Sequence, residues 1–192
     1  MPGPQRLLDV MTEKLPLGVD PAALAGQESE LERRVLSLHD RRGQELYGFA
    51  LGLGLPDEDA ADAVQEAMLR LWRELASGKD VRDLDAWAFR TTYHLVVDHH
   101  RLRRRLAGSL RGLTDRGRGY GADPADSADV TALWQAVDSL PERQRAVLYL
   151  RYRADLPFDH VGLVLGITSS AARSHATNAL ATLRRRLGQE ES

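Results

Sequence analysis

From Gly166 to Asn178 the chain reads GITSSAARSHATN, and the side chains that face outward at helical spacing are Ser169, Ser170, Arg173, Ser174 and Thr177. A hydroxyl can bond a phosphate oxygen or either kind of base edge, and one guanidinium can take guanine through its O6 and N7 atoms. Thr168 sits where an N-cap is expected. Thr168, Ser169 and Ser170, with the helix N-terminus, therefore suit phosphates. Arg173 suits a base, with Ser174, His175, Thr177 and Asn178 beside it. The same spacing also fits a plain helical hairpin ended by Gly166.

A second concentration lies upstream. RLRRRLAGSLRGLTDRGRG, residues 101–119, holds seven Arg against one acid, Asp115. The run grows out of a segment containing Trp87, Phe89, Tyr93 and His94. Arginines beside aromatic rings suit single-stranded nucleic acid, whose phosphates pair with cations and whose bases stack on rings. Trp87 falls on the apolar stripe and reads as core, whereas Phe89 and Tyr93 fall off it and read as exposed stacking surfaces. Lys79 stands in the turn-like SGKD stretch just before this segment.

These groups have to be held by helices. Leu31, Val35, Leu38, Leu46 and Phe49 recur at helical spacing over one or two helices. Val64, Met68, Leu71 and Leu75, widened by Trp72, make another, opened by Asp57, Glu58 and Asp59, which favour a helix N-terminus. Leu84, Trp87, Thr91, Leu95 and Leu102 define a third stripe. Periodicity fails from 107 to 128, a Gly-rich stretch containing Pro124 that reads as a linker. Beyond it, Val130, Leu133, Trp134, Val137 and Leu140 resume the pattern. Ser139 and Glu142 fit a capping box around Pro141. Phe158, Val161 and Leu165 form a short helix, and Ala172, Ala176, Ala179, Leu180, Leu183 and Leu187 the inner face of the last. The fold class is all-α: a tail (1–28), a helical domain (29–106), a flexible linker (107–128) and a second helical domain with a helix-turn-helix (129–192).

Composition narrows the chemistry. The 192 residues include no cysteine, which removes disulfides, thiolate catalysis and cysteine zinc sites. His94 and Asp98, one turn apart beside His99 and His100, permit a metal ligand pair, but no second ligand cluster accompanies them. No phosphate loop or nucleophile elbow occurs, so no enzyme and no cofactor is expected. A formal charge of −2 argues against coating nucleic acid by bulk electrostatics. The N-terminal segment lacks the apolar run of a signal peptide, and no stretch would cross a membrane, so a cytoplasmic protein is expected.

Three stretches resemble the extracytoplasmic-function (ECF) group of the sigma-70 family. DAADAVQEAMLRLW resembles its polymerase-binding helix, with Asp62, Val64, Gln65, Glu66, Leu69, Arg70, Leu71 and Trp72 in register. AWAFRTTYHLVVDHHRLRRR resembles the next helix, with Trp87, Asp98, Arg101 and Arg105 in register. Leu140, Pro141, Arg145, Leu148 and Leu150, then Gly166 and Ile167, fit the C-terminal domain. The chain departs from the family at Ala61, Ala63, Thr91, His94, Ala171, Ala172, His175 and Asn178.

The resemblance implies a promoter-recognition subunit with core RNA polymerase, promoter DNA and an anti-sigma factor as partners. It implies core binding through Asp62, Gln65, Glu66 and Arg70. Minus-ten contacts would come from Lys79, Phe89, Tyr93, His94, Arg101, Arg104 and Arg105. Minus-thirty-five contacts would come from Thr168, Ser169, Ser170, Arg173, Ser174, Thr177 and Asn178. An autonomous helix-turn-helix regulator, or an adaptor that binds a protein and no DNA, are the rival readings.

Overall fold

Seven α-helices are described in the computed structural model, which covers residues 21–109 and 128–190. They are α1 (Pro21–Gly52), α2 (Asp57–Ala76), α3 (Leu84–Ser109), α4 (Ala128–Asp138), α5 (Glu142–Leu148), α6 (Phe158–Leu165) and α7 (Ser169–Glu190). A π-helical turn, Tyr149–Arg153, continues α5. Most of the expected linker and of the N-terminal tail lies outside the described residues. The first helix is one continuous element that begins at Pro21, inside the stretch assigned to the tail.

The first domain packs α1, α2 and α3 around Leu38, Leu46, Phe49, Leu71, Phe89 and Val96, all fully buried. Two polar clamps fix its geometry. Tyr47 donates to Asp57, tying α1 to the start of α2. Arg42 donates to Asp85 at 2.8 Å and to Glu45 at 2.6 Å, binding α1 to the start of α3. Burial works against the Arg42 charge, but these two carboxylates outweigh it and raise its pKa above the usual value.

The buried face of α3 differs from the expected stripe. Ala88, Phe89, Thr92, Tyr93 and Val96 are buried, Trp87 and Leu95 are only partly so, and Leu102 is exposed. The true face is rotated by about one residue, roughly 100°. The cause is that α3 is covered twice, by α1 and α2 of its own domain and by α6 of the other.

In the second domain α5 and α6 pack on α7. The capping box expected at Ser139 and Glu142 does not form. Pro141 holds an extended ψ of 141° and delays the helix to Glu142. Ser139 instead donates back to Ala136 O at 2.6 Å, ending α4. Arg145 reaches the same corner, donating to Asp138 O at 2.8 Å.

The halves touch. Tyr149, from the π turn, lies 5.4 Å from the ring of Phe49 and 5.6 Å from that of Trp134, so one side chain belongs to both cores. Polar pairs cross beside it: Arg42 to Ala154 O at 3.4 Å and His160 to Asp83 at 3.0 Å.

Candidate nucleic-acid interface

The outer face of α2 carries Asp62, Gln65, Glu66 and Arg70 together, as their spacing requires. Asp62, Gln65 and Arg70 are exposed, and Glu66 pairs with Arg70 at 2.7 Å. Such an i,i+4 pair adds only about 0.2–0.5 kcal/mol to the helix, so both groups remain available to a partner. Two apolar residues share the face: Leu69 is 51% exposed and Trp72 37% exposed. The spacing put Trp72 at the edge of the core. It sits at the rim of a mixed surface instead.

Between α2 and α3 an open groove of about 300 Å³ is lined by Arg70, Arg73, Glu74, Trp87, Thr91 and His94. Trp87, expected in the core, lines this groove half-exposed, and His94 opens onto it. A ring face with two guanidiniums offers stacking and phosphate pairing at one place. Lys79 stands just beyond α2, exposed and paired with Glu74 at 2.5 Å. Its loop is held by Gly78 at φ +79° and by Ser77 bonded to Glu74 O at 2.7 Å. Asp83 then caps α3 by accepting from Ala86 N at 2.9 Å.

Phe89 and Tyr93 require correction. Phe89 is 0% exposed and packs edge-on against Phe49 at 5.6 Å, and Tyr93 is 7% exposed. Neither presents a face on which a base could stack, because both lie on the rotated, doubly covered side of α3. Arg101, Arg104 and Arg105 are exposed along its last turns, Arg101 bonded to Asp98 at 3.1 Å and Arg104 facing Glu142 at 3.8 Å. The histidines between are structural. His100 Nε2 donates to Leu53 O at 2.9 Å. His99 is pushed to a lower pKa by burial, which outweighs the pull of Asp59. Among the described residues no group of three or more His and carboxylates is placed to hold a metal ion.

The turn between α6 and α7 is built on two glycines. Gly166 adopts φ +64°, the left-handed region that ends a helix. Gly162 meets the turn itself: a Cβ there would lie 2.7 Å from Ile167 O. The sequence reading passed over Gly162, although a glycine four residues before the turn glycine is a signal of close backbone approach. Ala172 is fully buried against this corner, as its small size suggested. Thr168 caps α7 by accepting from Ala171 N at 3.1 Å.

On α7 the side chains of Ser170, Arg173, Ser174, Thr177 and Asn178 are exposed, and that of Ser169 is half-exposed. Ser174 donates to Ser170 O and Thr177 to Arg173 O, both at 3.1 Å. Those two hydroxyl hydrogens are spent on the helix, so they face a ligand as acceptors, suited to amino groups rather than to phosphate. Ser169 and Ser170, beside the capped N-terminus, are better placed for phosphate. The Arg173 guanidinium rests over the ring of Phe158, 5.4 Å from its centroid. Arg186, expected to be solvated, donates to Ser139, just beyond the end of α4.

Two parts of the chain match known families: residues 38–106 match sigma-70 region 2 and residues 136–185 match sigma-70 region 4. An ECF RNA polymerase sigma factor, SigL of Mycobacterium tuberculosis, is 27% identical, the match covering 83% of this chain and 90% of SigL. The RNA polymerase sigma factor SigV of Bacillus subtilis is 22% identical over 77% of this chain and 87% of its own length. A probable sigma factor of Xanthomonas campestris, RfaY, is 30% identical, but the match spans only 37% of that longer protein. The fold is similar to that of the sigma factor RpoE from Bartonella quintana, solved with the anti-sigma factor NepR, at a TM-score of 0.70 and 19% identity over 83% of this chain and 97% of that one. CnrH, solved with the cytosolic domain of CnrY, aligns at 0.62 with 22% identity over 86% and 94%.

Proposed function

The chain belongs to the sigma-70 family of RNA polymerase sigma factors, in its extracytoplasmic-function group, and from that premise we propose how its surfaces divide the work. The face of α2 bearing Asp62, Gln65, Glu66, Leu69, Arg70 and Trp72 docks on core polymerase. The groove of Arg73, Trp87, Thr91 and His94, with Lys79 on one side and Arg101, Arg104 and Arg105 on the other, takes unstacked bases of the minus-ten element. The start of α7 reads the minus-thirty-five element, Thr168, Ser169 and Ser170 on backbone, Arg173 on a base pair, Ser174, Thr177 and Asn178 beside it.

One observation carries the docking assignment. Leu69 and Trp72 leave large apolar surface in water on an otherwise polar helix face, the mark of a site that a partner covers. The chain then acts without catalysis of its own, as a cytoplasmic initiation subunit, and an anti-sigma factor competes for it, a reading supported by the fold it shares with RpoE of Bartonella quintana, which was solved with the anti-sigma factor NepR. No helix among the described residues is long and apolar enough to cross a membrane. A photo-crosslinking side chain placed at Leu69 should join to a polymerase subunit, and one placed at Ser170 to promoter DNA near minus thirty-five. A Leu69 probe that joins to nothing in the assembled initiation complex contradicts the docking assignment.

A further inference from the structure

Phe158 is the first residue of α6, and its side chain is half-buried, resting on the core with part of the ring left open. Two guanidiniums lie against that ring, Arg173 at 5.4 Å and Arg151 at 5.6 Å from its centroid. Arg151 comes from the π turn before α6, and Arg173 from α7 beyond it. The reach across to α7 is possible because Gly162 lets the two helices approach: a Cβ there would lie 2.7 Å from Ile167 O.

The two cations are held differently. Arg151 donates to Asp155 at 2.8 Å and to Leu156 O at 3.5 Å, so its charge is balanced and its donors are partly spent inside the protein. Arg173 is exposed, and among the described residues it has no carboxylate partner; the Phe158 ring is what supports its guanidinium. A carboxylate would orient a guanidinium by occupying the N–H donors that a base edge needs. A ring face orients it through the aromatic quadrupole and leaves those donors open.

We infer that Phe158 is a specificity-determining positioning residue, whose ring pre-sets the Arg173 guanidinium for a base edge while Arg151, balanced by Asp155, stays on the ring as scaffold. The stack follows from the packing alone, and its part in specificity rests on the reading of α7 as the minus-thirty-five helix. In the free full-length protein the Arg173 Nε–H resonance, identified by its loss in Arg173→Lys, should be shifted upfield by the ring current and should move back in Phe158→Leu. Holoenzymes carrying wild-type chain, Phe158→Leu, Phe158→Met, Phe158→Tyr or Arg173→Ala are then bound to a promoter library. The two ringless variants, of which Phe158→Met serves if Phe158→Leu unfolds, should lose about two- to fivefold of the base discrimination that Arg173→Ala removes, the scale of one exposed cation–π contact. Phe158→Tyr keeps the ring and should retain that discrimination. Adding Phe158→Leu to Arg173→Ala should leave the base preference where Arg173→Ala put it, because a positioning residue acts only through the group it positions. A merely structural role would weaken all sequences alike. An unshifted Arg173 resonance in the wild type, or full discrimination in a folded ringless variant, overturns the positioning role, and the α7 reading then stands on the response to Arg173→Ala. An unchanged preference in Arg173→Ala overturns both.

Discussion

The guanidinium of Arg173 stacks on the ring of Phe158 across the α6–α7 turn, 5.4 Å from its centroid. Arg151 approaches the same ring at 5.6 Å. A long side chain that would otherwise sample many rotamers is thus held near one position, which would lower the ordering cost of the base contact proposed for it.

Arg173→Ala should weaken the preferred promoter by about 1–3 kcal/mol and relax preference at one or two base pairs, the loss expected for a bidentate guanine contact. Phe158→Leu, which keeps an apolar side chain but removes the platform, should shift the same positions by less. Holoenzyme binding to a promoter library reads both. A sequence preference unchanged in Arg173→Ala would mean that α7 is docked in another register.

For the docking face, Leu69→Gln and Asp62→Lys should each reduce recovery of the chain with core polymerase. Stability should stay within about 0.5 kcal/mol of wild type, as both side chains are exposed. Denaturant titration and co-purification together check this, and equal recovery with an unchanged fold would place the polymerase elsewhere.

The two turn glycines should differ in kind. Gly162→Ala forces a methyl against backbone at Ile167, which cannot swing aside, and should destabilise the second domain by about 1–3 kcal/mol. Gly166→Ala meets open space and carries only the left-handed backbone cost of about 1–2 kcal/mol. Urea melts of the two variants, followed by duplex binding, test the ordering. Tolerance of Gly162→Ala would mean that the turn is looser than described.

Acid should act through His99. Burial lowers its folded pKa, with His100 and Arg103 adding to the effect and Asp59 opposing it. Below an unfolded value of about 6.5 the unfolded chain takes up a proton that the folded chain resists, so stability present above that pH is lost as the pH falls. The drop in melting temperature between about pH 7.5 and about pH 5.5 should therefore shrink in His99→Gln. An identical drop in both proteins would remove His99 from the account.

The helix pattern was legible from residue types because one face of each helix meets one core. Val64, Met68, Leu71 and Leu75 on α2, and Ala172, Ala176, Ala179 and Leu183 on α7, are buried as their spacing requires. Thr168 capped α7 as read. The reading failed where that premise fails. On α3 a second domain covers a further side, so Phe89 and Tyr93 went inside while Trp87 stayed at a groove. Spacing within one segment carries no trace of such a distant neighbour. The π turn at Tyr149 is equally silent in a sequence read at a single helical period, although it is what presents that ring to α1. The surface groups Asp62, Gln65, Arg173 and Thr177 were legible because a side chain that nothing covers keeps the direction its helix gives it.

Promoter-selective initiation by core polymerase is proposed to depend on this chain docking through its α2 face. Run-off transcription from promoter templates, with core polymerase alone, with wild-type protein and with Leu69→Gln/Asp62→Lys, tests it most directly. Discrete transcripts should appear only with the wild-type protein and fall by about tenfold or more with the variant, the fall expected when about 1.4 kcal/mol of docking energy is lost. The same transcripts from core polymerase alone, or undiminished transcripts with the variant, would contradict the account.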